Sequence, residues 1–237
     1  MESREGGIDG VICLVATDFD RQVIYQLIEE SRENHIPLVF MNSGLTDRDI
    51  DDVTPDYYQI GALGTEYLLR LGHRRIGFVA HQPGHLSMEE RFAGYRDALV
   101  KHGCFHEEYV VIHNEDPQSV RTGYWAVRDV LTQLEEPPTA VYAFHENNAA
   151  GAAYAAEDLG LHIPECFSLV GTYHNPKRQY SKHDMTSVVL PLQEVGSKAV
   201  EILMQRIDGV GPNRGIQIKL PGTLKVGETC RPIGENA

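Results

Sequence analysis

Residues 138–175 read PTAVYAFHENNAAGAAYAAEDLGLHIPECFSLVGTYHN, and this stretch decides the fold class. Residues 139–144 form an apolar run with Val, Tyr and Phe, which predicts a buried strand. An Ala-rich segment at 149–159 predicts a helix, and Gly160 follows it where helices commonly end. A second apolar run at 167–171 predicts another strand. The stretch is therefore a predicted strand–helix–strand unit, the building block of an α/β fold with a parallel sheet.

Both predicted strands end in polar turns, HENN at 145–148 and TYHN at 172–175. In an open parallel sheet, ligands bind outside the carboxyl ends of the strands. We therefore expect these two turns to contribute to any functional site.

The same alternation continues through the rest of the chain. Apolar runs predict further strands at 8–16, 37–42, 75–80 and 109–113. Amphipathic or capped segments predict helices at 21–34, 56–71, 87–102, 119–134 and 192–207. The aspartate-rich segment 46–52 is predicted to be a solvated surface loop. The pattern indicates an α/β fold of mostly parallel strands flanked by helices, with enough strands for two lobes.

Composition narrows the function classes. The net charge of −13 over 237 residues argues against a chain that by itself binds nucleic acid or an anionic membrane. No apolar run approaches the length of a membrane span, and the first residues lack the pattern of a secretory signal. We therefore expect a cytoplasmic protein without membrane contact. The four cysteines are far apart in sequence, which favours free thiols over disulfides.

Catalytic and metal-binding motifs give no positive signal. The sequence has no nucleophile elbow, phosphate-binding loop, zinc-protease motif or dinucleotide-binding turn. The segment 61–64 (GALG) lies inside a predicted helix, so we interpret its glycines as packing positions. The pairs or clusters at 81–85 and 102–106 contain histidines but lack the supported geometry of a metal site. We predict no enzyme activity, no cofactor and no metal, and a sugar-handling enzyme stays an alternative on fold analogy alone.

Short motifs spread over roughly residues 8–228 resemble those of LacI/GalR-type transcriptional regulators. Their order and spacing carry the resemblance: IDGVI at 8–12, LGHRRI at 71–76, RFAGY at 91–95, PTA at 138–140, LGLHIP at 159–164 and SLVG at 168–171. The resemblance implies the effector-binding domain of that family, with a fold like type I periplasmic binding proteins. In this fold two α/β lobes are joined by three crossovers, and a small molecule binds in the cleft.

The resemblance also implies a domain organisation. Residues 1–54 with 188–220 are expected to form a truncated N-terminal lobe, and residues 55–187 with 221–232 the C-terminal lobe. The helix-turn-helix module and the first part of the N-terminal lobe are expected to be missing. Operator DNA would then be bound only through that missing module, and the intact regulator would be a homodimer. A solute-binding protein of a transport system and a non-functional fragment are the alternatives.

The resemblance assigns Arg91 to the position of an arginine that holds ligand hydroxyls or a carboxylate. A guanidinium fork suits this role because its parallel donors match two neighbouring oxygens. The alternative is a surface arginine paired with an acid of its own helix.

Four further ligand-binding residues are predicted from the two polar turns. His145 and Glu146 stand where the family usually has Asn-Asp, and the alternative is that they only cap a helix. Tyr173 and His174 stand where the family usually carries aspartates. Tyrosine stacks on rings and donates one hydrogen bond, but it cannot make a bidentate charged contact. This departure argues against a simple hexose, and the expected effector is a sugar, nucleoside or small acid.

Overall fold

A computed structural model of the chain describes residues 7–15, 20–45, 49–81, 86–113, 120–173 and 184–234. The chain divides into two compact units, and it passes from one to the other three times. Unit 1 comprises Met1–Pro55 and Pro191–Leu220, and unit 2 comprises Asp56–Leu190 and Pro221–Ala237.

Strands and helices alternate along most of the chain. The strands are β1 Val11–Leu14, β2 Leu38–Met41, β3 Asp51–Pro55, β4 Ile76–His81, β5 Val110–His113, β6 Ala140–Ala143, β7 Ser168–Tyr173, β8 Thr186–Val189, β9 Gln217–Leu220 and β10 Thr223–Lys225. The helices are α1 Arg21–Glu33, α2 Tyr57–Arg70, α3 Leu86–Lys101, α4 Val120–Thr132, α5 Glu146–Asp158 and α6 Leu192–Ile207. None of these described helices is long and apolar enough to cross a membrane.

Unit 1 is built on a parallel four-stranded sheet in the order β1-β2-β3-β9. Neighbouring residues of a strand point to opposite faces, and β2 shows this at Val39 and Phe40. Val39 packs in a cluster with Val195 of α6, whereas Phe40 packs in another with Ile28 of α1. One helix therefore covers each face of this sheet.

The predicted aspartate-rich surface loop is partly wrong. Asp51 and Asp52 begin β3 and are buried. Asp51 is neutralised by Arg206 of α6, whose Nε and Nη2 donate to its two carboxylate oxygens at 2.7 Å each. Burial raises the pKa of Asp52, and a hydrogen bond from the Ser43 backbone N–H opposes that shift. Residues 46–48 of the predicted loop lie outside the described part of the chain.

Unit 2 is built on a six-stranded sheet in the order β10-β8-β7-β6-β4-β5. All neighbouring pairs are parallel except β10 with β8. Helices α2 and α3 cover the face that contains Tyr142, and α4 and α5 cover the face that contains Val141. The predicted α/β class, with parallel sheets flanked by helices, is confirmed.

Glycines allow both helix pairs of unit 2 to pack at backbone contact. A Cβ atom on Gly61 of α2 would lie 2.0 Å from the carbonyl oxygen of Arg91 in α3. A Cβ atom on Gly94 of α3, or on Gly123 or Gly151 of the α4–α5 pair, would likewise lie 2.1–2.3 Å from a backbone oxygen. The predicted packing role of the 61–64 segment is thus confirmed, and the close contact of α2 fixes where Arg91 lies.

Candidate functional site

Arg91 lies in the second turn of α3 with its side chain inside unit 2, and the residue is only 2% exposed. Its Nη1 donates a hydrogen bond to the carbonyl oxygen of Phe144 at 2.6 Å. Phe144 directly follows β6, so this bond connects α3 to the carboxyl end of a central strand. The arginine is therefore at the sheet edge where parallel α/β proteins bind ligands.

Two aromatic rings surround the guanidinium group. Its central carbon lies 4.1 Å from the centroid of the Phe144 ring and 5.0 Å from that of Tyr57. Tyr57 is the first residue of α2, which Asp56 starts by accepting the backbone N–H of Gln59 at 2.9 Å. Ring faces attract the cation, but they supply no formal negative charge.

The charge of Arg91 is not balanced by a described carboxylate. No described Asp or Glu forms an ion pair with it, and its Nε has no hydrogen-bond partner among the described residues. Burial lowers the pKa of the guanidinium, whereas the phenol groups of Tyr142 and Tyr57 act in the opposite direction. The site therefore presents a buried cation with an unused donor.

Tyr142 forms a polar layer beneath this cation. Its hydroxyl donates to the carbonyl oxygen of Ile60 at 3.1 Å and lies 3.1 Å from Oγ1 of Thr172. Burial raises the pKa of this phenol, and the charge of Arg91 opposes that shift. These bonds join α2, β6 and β7, so the surroundings of Arg91 are held by three elements.

His145 and Glu146 form the start of α5. The predicted turn 145–148 is wrong from its second residue, because α5 begins at Glu146. His145 is the N-cap, and its Nδ1 accepts the backbone N–H of Asn147 at 3.2 Å. Glu146 is buried in the first helical turn, where a carboxylate faces the positive end of the helix dipole. His145 therefore caps α5, and ligand binding by the two side chains stays a prediction.

Tyr173 ends β7 with its ring in the apolar cluster of the α4–α5 face, and it is 5% exposed. Its ring lies near Gly171, in a cluster that also contains Ala149 and Met185. The structure therefore places it on a different sheet face from the α3 helix that carries Arg91. Ligand contact by Tyr173 stays a prediction, and His174 lies outside the described residues.

Tyr57, Phe144 and Thr172 belong to the surroundings of Arg91. None of them was named as a site residue from the sequence, although Thr172 lies in the predicted 172–175 turn. The alternation of strand residues contains a signal for two of them. Phe144 has the same parity as Tyr142, and Thr172 has the same parity as Val170, which packs on the α2–α3 face. Tyr173 has the opposite parity, which explains why its ring points to the α4–α5 face.

A cavity of about 420 Å³ in unit 1 is a second candidate site. It lies at the amino ends of β2 and β3, opposite the edge where parallel sheets bind ligands. Its floor includes Ile28 and Phe40, and its most buried cation is Arg206. Arg206 already donates to Asp51 and to the backbone carbonyls of Pro212 and Arg214. Because this cation is satisfied, the Arg91 site is the stronger candidate.

Metal binding finds no support within the described ranges. They contain no group of three or more His, Cys, Asp or Glu side chains arranged to hold an ion. Cys104, from the histidine-containing 102–106 cluster, is buried, and its thiol donates to the carbonyl oxygen of Leu99 at 3.7 Å. This contact gives Cys104 a role in packing.

Comparisons with known proteins agree on the family to which this chain is similar. Residues 65–230 match the family described as a periplasmic binding protein-like domain. A probable HTH-type transcriptional repressor, ExuR of Bacillus subtilis (strain 168), is 30% identical over 200 residues that cover 84% of this chain. The chain spans 58% of the length of that repressor.

Solved structures show the same relationship. A LacI family transcriptional regulator from Mycobacterium smegmatis superposes with a TM-score of 0.76 at 30% identity, covering 96% of this chain and 81% of its own. A complex of the transcriptional regulator CelR with cellobiose gives a TM-score of 0.78 at 26% identity, covering 93% of this chain and 65% of its own. Both similarities extend over nearly the whole chain.

Proposed function

The chain belongs to the periplasmic-binding-protein-like family as a LacI-type effector-binding domain, and from this premise we propose that it binds a small effector that controls operator binding. The resemblance expected from the sequence motifs is confirmed by these comparisons. The effector is proposed to be a sugar, nucleoside or small acid, and the chain is proposed to have no catalytic activity.

The observation that supports this proposal is the buried donor of Arg91. A buried polar group without a partner costs free energy, and a buried charge without a counter-charge costs more. The Nε of Arg91 is such a group among the described residues, at the carboxyl end of β6. An effector that accepts a hydrogen bond from Nε removes this cost, which couples ligand binding to stability.

Control of DNA binding is proposed to follow from a population shift. An effector that binds one arrangement of a regulator better than another shifts the equilibrium toward it. Operator binding is proposed to belong to a helix-turn-helix module outside this chain, because the related repressor is named as HTH-type and is longer. The intact regulator is proposed to be a cytoplasmic homodimer.

A thermal-shift screen of sugars, nucleosides and small acids on the whole chain tests the effector site. A ligand at 100 times its Kd is expected to stabilise the chain by about 2.7 kcal/mol. Arg91→Ala is expected to abolish the shift. Arg96→Ala is the matched control, because Arg96 lies on the same helix but is 47% exposed and paired with Asp97. A shift that survives in Arg91→Ala contradicts the assigned site.

Electrophoretic mobility shifts with genomic DNA fragments test whether operator binding requires a module other than this chain. With a net charge of −13, this chain alone is expected to bind no fragment selectively at moderate salt. A sequence-selective complex formed by the chain alone would refute the assignment of operator binding to another module.

A further inference from the structure

We propose that unit 1 contains a second ligand site, separate from the Arg91 site, and that it binds a small phosphomonoester. The site is the cavity of about 420 Å³ at the amino ends of β2 and β3. Its volume lies within the range of about 300–1,000 Å³ that small-molecule sites occupy. The inference goes beyond the proposed function, because Arg91 belongs to unit 2.

Five segments form the walls of this cavity. They are α1, β2, the residues before β3, the end of α6 and the loop 209–215. Ile28 and Phe40 form an apolar floor, and both are buried in the cluster between α1 and the sheet. The described lining residues all belong to unit 1, so the cavity lies within a single unit.

Arg206 fixes the loop 209–215 as one wall of the cavity. Its guanidinium group donates to the carbonyl oxygens of Pro212 and Arg214 in the loop. The same group donates to both carboxylate oxygens of Asp51 at 2.7 Å each, which ties the loop to the start of β3. Arg206 and Asp51 thereby neutralise each other, and neither supplies a free charge to a ligand.

The far end of the loop is held as firmly. The backbone N–H of Gly215 donates to the carboxylate of Asp49. A Cβ atom on Gly215 would lie 2.4 Å from the carbonyl oxygen of Ile50, so the two backbones are in direct contact there. The cavity is therefore formed before any ligand binds, which lowers the entropy that a ligand must overcome.

The lining has more positive than negative groups, although the whole chain has a net charge of −13. Its charged residues are Arg32, Arg206, Arg214, Asp49 and Asp51. Arg32 forms an ion pair with Glu29 at 3.2 Å, but the two side chains are 51% and 64% exposed, and such pairs contribute little. Arg214 has no ion pair with any other described residue. These two arginines are therefore available to an anionic ligand.

A phosphate group suits the two arginines better than a carboxylate does. Arg32 is in the last turn of α1 and Arg214 is in the loop 209–215, so they line the cavity from different elements. The two oxygens of a carboxylate lie in one plane with its carbon, whereas the three oxygens of a phosphomonoester accept donors from several directions. The phosphate also carries about −1.5 to −2 charges at pH 7. Ile28 and Phe40 are then the contact surface for the organic part of the ligand.

Calorimetry on the whole chain tests the ligand class. The probes are AMP, ribose 5-phosphate and glycerol 3-phosphate, each compared with its unphosphorylated counterpart and with inorganic phosphate. At least one ester is expected to bind about 10-fold more tightly than both, because charged hydrogen bonds are lost in the first comparison and the organic contacts in the second. If every ester binds no more tightly than its counterpart or than inorganic phosphate, the inference is overturned. The proposed function is unaffected by that result, since the thermal-shift screen tests it separately.

Four variants locate the binding site. Arg32→Gln and Arg214→Gln are each expected to weaken binding of the ester by at least about 10-fold. Arg21→Gln is the matched control with the same loss of charge, because Arg21 is exposed at the start of α1 and outside the cavity lining; it is expected to change binding by less than about 2-fold.

Arg91→Ala separates this site from the effector site. Ester binding that is lost in Arg91→Ala but kept in Arg214→Gln takes place at the effector site, which overturns this inference and supports the proposed function. Ester binding that is kept in Arg91→Ala and weakened in Arg214→Gln is the expected result. If Arg32→Gln loses its fold by circular dichroism, Arg214→Gln decides, because the side chain of Arg214 is exposed.

Discussion

Gly61→Ala tests how the fold positions Arg91. A Cβ atom at Gly61 would lie 2.0 Å from the carbonyl oxygen of Arg91 and 2.8 Å from its Cα. These are backbone atoms, so no side-chain rotation relieves the contact, and α3 must move away from α2. The carbonyl oxygen must shift by about 1.4 Å to restore an ordinary contact of 3.4 Å.

The expected cost combines two opposing effects. Overpacking of this kind destabilises proteins by about 1–3 kcal/mol, and replacing glycine by alanine in a helix returns up to about 1 kcal/mol. We expect a net loss of about 1–2 kcal/mol in the free energy of unfolding. The same displacement exceeds what the 2.6 Å hydrogen bond from Arg91 to Phe144 tolerates, so effector binding should weaken by at least about 10-fold.

Urea denaturation followed by circular dichroism measures the effect, with Gly196→Ala as the matched control. Gly196 is also helical, in α6, but a Cβ atom there meets nothing within 4 Å. This control is therefore expected to gain about 0.5–1 kcal/mol from helix propensity. If Gly61→Ala is stabilised as much as Gly196→Ala, the close α2–α3 contact does not exist as described.

Three further changes test other parts of the fold. Asp51→Asn should destabilise the chain by roughly 3 kcal/mol, because it leaves the charge of Arg206 without its partner; a change below about 0.5 kcal/mol in urea denaturation would be inconsistent with the pair. Burial lowers the pKa of His73, so the unfolded chain binds more protons between that lowered pKa and about 6.5. The free energy of unfolding should accordingly rise with pH through this window, and the contribution of His73 should be lost as the pH falls through it. The difference in stability from His73→Gln should therefore shrink between pH 7.5 and 5.5. A pH-independent difference argues against a neutral buried imidazole. Thr229→Val keeps the shape but removes the acceptor of the Thr186 backbone N–H at 2.9 Å, and should cost about 1–3 kcal/mol in thermal or urea unfolding.

Local sequence patterns were sufficient for most of the fold. Central parallel strands such as β6 and β7 are buried on both faces, so they occur as continuous apolar runs that are easy to identify. β3 was missed because Asp51 and Asp52 disfavour a strand locally. Its first residue is stabilised by Arg206, which lies 155 positions away in sequence, and no local pattern contains that information.

The site was predicted in part. The resemblance assigned Arg91 to the position of a ligand-holding arginine, and the structure brings it to the end of β6. Its aromatic neighbours are far away in sequence, 53 positions for Phe144, so their proximity depends on the tertiary fold. The start of α5 was predicted three residues late, because the cap bond of His145 gives Glu146 a helical conformation that the polar sequence HENN does not indicate.

The state of Arg91 differs from that of several other buried polar residues in unit 2. Several other buried polar groups of this unit have partners from the protein itself. His73 contacts the hydroxyls of Thr139 and Ser168 at 2.9 and 3.0 Å, and the hydroxyl of Tyr95 donates to a backbone carbonyl at 2.7 Å. A fold that satisfies these groups could accommodate an apolar side chain at position 91, where the aromatic surroundings would favour it. If Arg91 binds the effector as proposed, we expect this arginine to lower the stability of the unliganded chain, because its function is binding rather than packing.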